Sequence, residues 1–597
     1  MQYWLQLAQL FVASLLTSTY NQYRQPVVKM QLVIKRTRRK QRTPVRSDRR
    51  RGLKLTSVLL CYLLSLLGLT ACGDNENNVV SGNRQQILHW GNGTEPQELD
   101  PHIVTGVPEH HIITALLEGL VLKDPQTLEP IPGVAERWVI SDDGLVYTFH
   151  LRDNARWSNG DPVTAEDFVW SWWRALQPAL GNQYAYMYYA IKNAEAYAQG
   201  KIKDFDQVGA VALDERTLQV TLANPTPYFL QLLDHYSMFP VHRPTIEKFG
   251  EPAERGTRWT RAGNFVGNGA FVLKLWSLNK VVIVEKNSGY WDSDNVKLNS
   301  IYFYPTENVS TEERMFRAGQ LHVTGSIPAD KIAVYKKERP EDLRIAPYLG
   351  TYFYRFNTTV PHLSDPRVRR ALAMTINRKQ IVERVTKGGQ LPAYTYTPPD
   401  TLGYTARDGF SFDPEAARAL LAEAGYPDGD GFPQTEILYN TSEGHRKLAV
   451  AIQQMWKKNL NIDVILNNQD WKVYLDNVDN GHYQIARAGW IGDYVDPNTF
   501  LDMWVSNGGN NRTGWANSDY DTLVLKQSPT APSRDARYQA FKEAEATLLA
   551  EMPILPIYFY TRNNLVRPSV KGMPANLLDY TLYKNIYLQA ALPEQVE

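Results

Sequence analysis

Residues 487–494 of this 597-residue chain read Arg-Ala-Gly-Trp-Ile-Gly-Asp-Tyr, placing a fixed cation, an indole, two glycines and a carboxylate in one short stretch. The Arg487 guanidinium is a planar fork of donors that fits a carboxylate in bidentate fashion. Gly489 lets another backbone approach closely. Taken alone, Asp493 reads as a turn aspartate ahead of Pro497, and Trp490 and Trp471 as core tryptophans. Catalytic spacings are sparse. There is no H-E-x-x-H zinc motif and no G-x-S-x-G nucleophile elbow. Ser277-Leu278-Asn279-Lys280 fits S-x-x-K but lacks the accompanying K-T-G element, so it reads as a chance match. No metal or cofactor site is expected, and the chain is read as a non-enzyme.

The elements that must position these residues alternate between helical and strand periodicity, which predicts a mixed α/β body. The most legible unit is Gly133 to Leu176. Asp143-Gly144 predicts a hairpin turn, because glycine accepts the positive φ of a tight turn, and Val146 to Leu151 continues as an alternating strand. Thr164 and Asp167 have the spacing of a capping box, opening a helix with Phe168, Val169 and Trp172 on its apolar face.

Charge is unevenly distributed. Residues 1–71 hold 13 Lys/Arg and one acid, Asp48, leaving 51 basic and 62 acidic groups elsewhere, a net of −11. An acidic body argues against nucleic acid as a partner. The basic run Arg49-Arg50-Arg51-Gly52-Leu53-Lys54 precedes the apolar stretch Leu55 to Ala71, and Cys72 follows at once. That order of basic, apolar and small residues makes a secretory signal. Leu69-Thr70-Ala71-Cys72 resembles a bacterial lipobox, which implies a lipidated Cys72 and an anchor to the membrane. Met30 is the more natural start, so residues 1–29 are kept out of fold reasoning. Gly73 to Gln86 reads as a polar tether. Cys61 and Cys72 are the two cysteines, so the body is expected to have no internal disulfide.

The Gly133–Leu176 unit closely resembles the signature segment of the extracellular solute-binding proteins that serve peptide and nickel ABC importers. The resemblance is carried by Ala135-Glu136-Arg137-Trp138, Phe149-His150-Leu151-Arg152 and Trp157-Ser158-Asn159-Gly160-Asp161-Pro162, and by landmarks such as Asp365-Pro366-Arg367 and Pro553-Ile554-Leu555-Pro556. It extends over nearly all of residues 87–597. Tyr439-Asn440-Thr441-Ser442-Glu443-Gly444-His445 and Ala486-Arg487-Ala488-Gly489-Trp490 are most similar to the oligopeptide-binding branch. The resemblance implies an α/β, two-lobe periplasmic-binding-protein fold with a hinge and an extra domain. Residues 1–71 would be the export region and 72–86 the lipidated cysteine and tether. Lobe I would comprise 87–117, 243–349 and 561–597, the extra domain 118–242, and lobe II 350–560.

The same resemblance implies capture of short peptides of about two to five residues between the lobes, held largely through their backbone. Asp493 matches the position that grips the peptide ammonium. Arg487 and His445 match positions facing the carboxyl end. Trp490 and Trp471 match walls of side-chain pockets, Gly489 lies on the peptide-pairing segment, and Val107 matches a backbone strand edge. The implied partners are ABC importer membrane subunits and, through the anchor, the extracytoplasmic face of a membrane; the protein is expected to be a monomer. Departures fall at Gly350 and Ile491, where cysteines can stand, and at Thr105, Thr386 and Val478, where an acid, a lysine and an arginine can stand. Lys387 is the neighbour that could replace the lysine. Cell-wall peptides are the alternative ligand, and a secreted hydrolase is the alternative from another class.

Overall fold

The structure, a computed structural model, describes residues 76–407 and 409–589. Cys72 and the export region therefore lie outside the described residues. Three sheets organise the rest. A four-stranded sheet runs in the order Ile87–Gly91, Ser300–Tyr304, Val281–Lys286 and Phe271–Ser277, with its first pair parallel and the others antiparallel. A second four-stranded sheet, wholly antiparallel, is built from Ala135–Ile140, Val146–Leu151, Thr217–Thr221 and Ala210–Asp214. The third sheet has six strands, ordered Leu391–Pro392, Ile554–Leu565, Leu343–Phe356, Ile485–Ile491, Thr435–Asn440 and Val464–Gln469.

The local signals are realised where the chemistry is local. Gly144 has φ 69° and turns the chain between the two predicted strands. Thr164 caps the helix Ala165–Ala175: its side chain accepts from the Asp167 N–H, and the Asp167 carboxylate accepts from the Thr164 N–H. Phe168 and Trp172 are fully buried on that helix. One stretch differs from expectation. Residues 78–85, read as tether, form the helix Asn78–Gln85, because the Asn77 side chain caps it and Gly82 lets it seat against the first sheet. A Cβ on Gly82 would meet the Ile87 carbonyl at 2.5 Å and His322 at 2.7 Å.

Two long strands, Leu343–Phe356 and Ile554–Leu565, link the first sheet to the six-stranded one. Their outer ends pair from Leu343↔Leu565 to Pro347↔Thr561 and are tied through Val566 to Val323, which also bridges Trp90 of the first sheet. The register then shifts between Pro347 and Thr351 before pairing resumes inside the six-stranded sheet. Proline offers no N–H there, so the ladder breaks where the strands pass from one half to the other. One apolar core joins the first two sheets and reaches Trp490, Tyr494 and Trp504. A second, including Tyr352, Trp456 and Leu555, belongs to the six-stranded sheet alone. The cleft lies between these halves.

Candidate functional site

The strand Ile485–Ile491 alternates in burial, as period-two geometry requires. Ala486, Ala488 and Trp490 are buried on one side, while Arg487, Gly489 and Ile491 emerge on the other. Around them lie two cavities, one on the Asp493 side and one on the Arg487 side, with Tyr348 lining both. They meet at a tight contact. A Cβ on Gly489 would stand 2.5 Å from the Tyr560 hydroxyl and 3.3 Å from Arg487 Nη2.

Arg487 is a cation without an anion. Its Nη1 donates to Asn440 Oδ1 at 3.3 Å and its Nη2 to the Tyr560 hydroxyl at 3.1 Å, and its guanidinium lies 4.8 Å from the centre of the Tyr352 ring. Its Nε is buried with no partner, and among the described residues no carboxylate pairs with it. His445 lines the same cavity, its Nδ1 3.2 Å from the Tyr352 hydroxyl. Burial first, and the Arg487 charge second, hold this imidazole well below its ordinary pKa, so it is neutral. Thr386 lines this cavity as well, whereas Lys387 points its backbone into a left-handed turn and is exposed. Lys447 and Arg562 line the cavity instead.

Asp493 stands at the other end, its side chain 11 % exposed. Its N–H donates to Thr499 Oγ1, and its carboxylate faces His235 Nε2 at 3.4 Å. Lys123 donates to the Asp493 carbonyl at 3.0 Å while its ammonium pairs with buried Asp234 at 2.5 Å. Burial raises the Asp234 carboxyl, and Lys123 offsets part of that. His235, Lys123 and Asp234 were missed by the sequence reading, because no local pattern ties them to residue 493.

The remaining expectations divide. Trp490 lines the Asp493 cavity, lies near Tyr184, and donates its indole N–H to the Thr499 carbonyl at 2.6 Å. Trp471 stacks on Tyr474 and reaches Glu109 Oε1 at 3.4 Å. Burial pushes the Glu109 carboxyl up to about 7. Val107 lines the Asp493 cavity, but it is not on a strand edge. It opens the helix Val107–Leu116 behind Gly106, with Pro108 in the first turn where no N–H is needed. Val478 is 1 % exposed and packs with Leu438 and Tyr474. Gly350 pairs with Ile491 across the sheet, and the Ile491 side chain fills the space a Gly350 Cβ would need. Ser277–Lys280 is a hairpin turn with Leu278 65 % exposed. Ser293-Asp294-Asn295, an S-D-N triplet the sequence reading passed over, is a separate turn of 3-10 helix.

The sequence pattern of the bacterial extracellular solute-binding proteins, family 5 Middle, matches residues 129–512. The chain belongs to this family. It is 40 % identical over 514 residues to the periplasmic oligopeptide-binding protein OppA of Salmonella typhimurium, covering 84 % of this chain and 93 % of that one. The solved structure of the Escherichia coli murein tripeptide binding protein MppA matches with a TM-score of 0.80 at 38 % identity, over 84 % of this chain and 98 % of the other. Haemophilus influenzae OppA in complex with the peptide RPPGFSPFR also gives 0.80, at 37 % identity, with coverage of 84 % and 99 %. This solute-binding protein thus has the two-lobe periplasmic substrate-binding fold. Against the unliganded open form of MppA, at the same 38 % identity and 84 % of this chain, the TM-score falls to 0.57. The lobes of this family member are therefore not arranged as in that open form.

Proposed function

We propose that this protein is the lipid-anchored, extracytoplasmic binding subunit of a peptide ABC importer, enclosing short peptides between its lobes. The observation that carries this reading is Arg487. A largely buried guanidinium without a carboxylate costs stability unless an anion arrives, and a peptide's terminal carboxylate is such an anion. Asp493 supplies the opposite charge for the peptide ammonium. The Arg487 guanidinium reaches forward beside Gly489 on the strand, and Asp493 stands just past the strand's end, so the two charges face the cleft from separate places along the same segment. The Arg487-side cavity extends beyond the guanidinium, leaving room for longer ligands. Cys72 would be lipidated.

Mass spectrometry of material released from freshly purified protein tests the reading. Short unblocked peptides are expected, and disaccharide-linked or D-amino-acid-containing fragments would instead assign cell-wall peptides. Release of a non-peptide solute would contradict the proposal. Labelled fatty acid should be incorporated into the wild type and lost in Cys72→Ser; retained label in that variant would displace the anchor.

A further inference from the structure

Behind the wall that carries Tyr184 lies another cavity, which the peptide reading does not use. The segment Asn182–Ala190 and Glu195 form one side, and residues from Asn498 to Pro529 the other. Tyr184 lines the Asp493 cavity, while its neighbours Gln183 and Tyr186 line this one, so a single turn of chain separates the two.

The lining is one-sided in its chemistry. It holds two carboxylates, Glu195 and Asp502, and no lysine, arginine or histidine. Asp502 is 8 % exposed. Its Oδ2 accepts from Asn498 Nδ2 at 2.8 Å and from the Tyr494 hydroxyl at 3.2 Å, whereas its Oδ1 has no partner. Gln183 Oε1, on the opposite wall, is also buried without a donor. Unmet acceptors of this kind are uncommon in native proteins and call for a donor. The half-buried rings of Tyr186 and Tyr189 add faces that favour a cation.

We propose that this cavity is a second ligand site, which takes a small protonated alkylamine bridging the two sides of the closed molecule. The amine's N–H groups would meet Asp502 Oδ1 and Gln183 Oε1, and its methylenes would lie along the tyrosine rings. Burial, then the nearby Asp493 charge, holds the empty Asp502 carboxyl well above its usual range, and a cation beside it relieves that penalty. Because both walls are needed to form it, occupancy favours lobe closure. An amine and a peptide should then strengthen each other's binding reciprocally, a coupling that rests on the peptide reading whereas the amine site does not.

The test is calorimetric titration of 1,4-diaminobutane into the full chain, with and without a saturating tripeptide, at fixed ionic strength. One diamine per protein is expected in both titrations, tighter with tripeptide present. Tetramethylammonium, which has no N–H, should bind at least tenfold more weakly. Ala198→Trp, which narrows the cavity without changing charge, and Asp502→Asn should each weaken the diamine at least tenfold, while tripeptide affinity without amine changes less than threefold. Should Asp502→Asn not fold, Ala198→Trp decides alone. Absence of saturable heat, displacement of the diamine by tripeptide, or undiminished binding in Ala198→Trp would overturn the proposal. Diamine binding in a protein that takes no peptide would leave this site standing and refute the peptide reading.

Discussion

His235 Nε2 stands 3.4 Å from Asp493 Oδ1, and the tautomer that makes this contact is set from the other side of the ring. His235 Nδ1 accepts from the Ser237 N–H, which leaves Nε2 to carry the proton and donate it toward Asp493. A neutral imidazole suffices for that bond. The Asp493 carboxylate otherwise receives the Thr499 hydroxyl at a long 3.5 Å, so its charge is left for a cation entering the cleft.

The opposite end gives the first prediction. Arg487→Met should weaken a tripeptide with a free carboxylate by roughly thirty-fold or more, since removing one member of a desolvated charge pair costs about 2–5 kcal/mol. The same change should alter the affinity for the C-terminally amidated tripeptide far less. In the empty protein it removes an unpaired buried charge, so the melting temperature should hold or rise. Titration calorimetry and thermal denaturation read the two effects, and equal losses for both peptides would remove Arg487 from the carboxylate role.

Gly489 is predicted to act through Tyr560. Gly489→Ala places a methyl 2.5 Å from the Tyr560 hydroxyl, and that overpacking should cost about 1–3 kcal/mol and displace the Arg487 guanidinium. Tyr560→Phe removes the oxygen in conflict. The double variant should therefore regain most of the stability lost by Gly489→Ala, measured by denaturant unfolding; additive losses would show that the clash lies elsewhere.

How much of this was legible beforehand depends on distance along the chain. The Gly144 turn and the Thr164–Asp167 cap are chemistry between near neighbours, and they stand where the sequence placed them. That Arg487 and Gly489 share one face emerges only from the strand Ile485–Ile491 in the structure, and nothing local discloses that Lys123 and His235 close over Asp493 from distant segments. Val107 was misread because Gly106 and Pro108 favour a helix start over the strand edge that the family likeness suggested. Residues 78–85 looked like tether because their few apolar side chains hide the fit, which depends on the space left by Gly82.

Glu109 carries a pH prediction. Its carboxyl, raised by burial from about 4.5 to about 7, holds its proton more tightly in the folded chain than in the unfolded one. Between those values the unfolded chain binds fewer protons, so stability falls as pH rises from about 4.5, and the loss is complete above about 7. The full cost is about 3 kcal/mol at full ionisation. Glu109→Gln retains an acceptor for the Trp471 indole and abolishes the ionisation. Its stability relative to wild type should therefore be about 2–3 kcal/mol more favourable at pH 8 than at pH 5 by denaturant unfolding. An identical difference at both pH values would contradict the assignment.

The amino-terminal anchor is the centre of the account, and one double-mutant cycle tests it most directly. Titration calorimetry would compare a free and an N-acetylated tripeptide on the wild type and on Asp493→Asn. Acetylation and Asp493→Asn remove the same charge pair, so each alone should weaken binding by roughly thirty-fold or more, and the two together by little beyond either. Equal wild-type affinity for the two peptides, or losses that simply add, would contradict Asp493 as the group that holds the peptide ammonium.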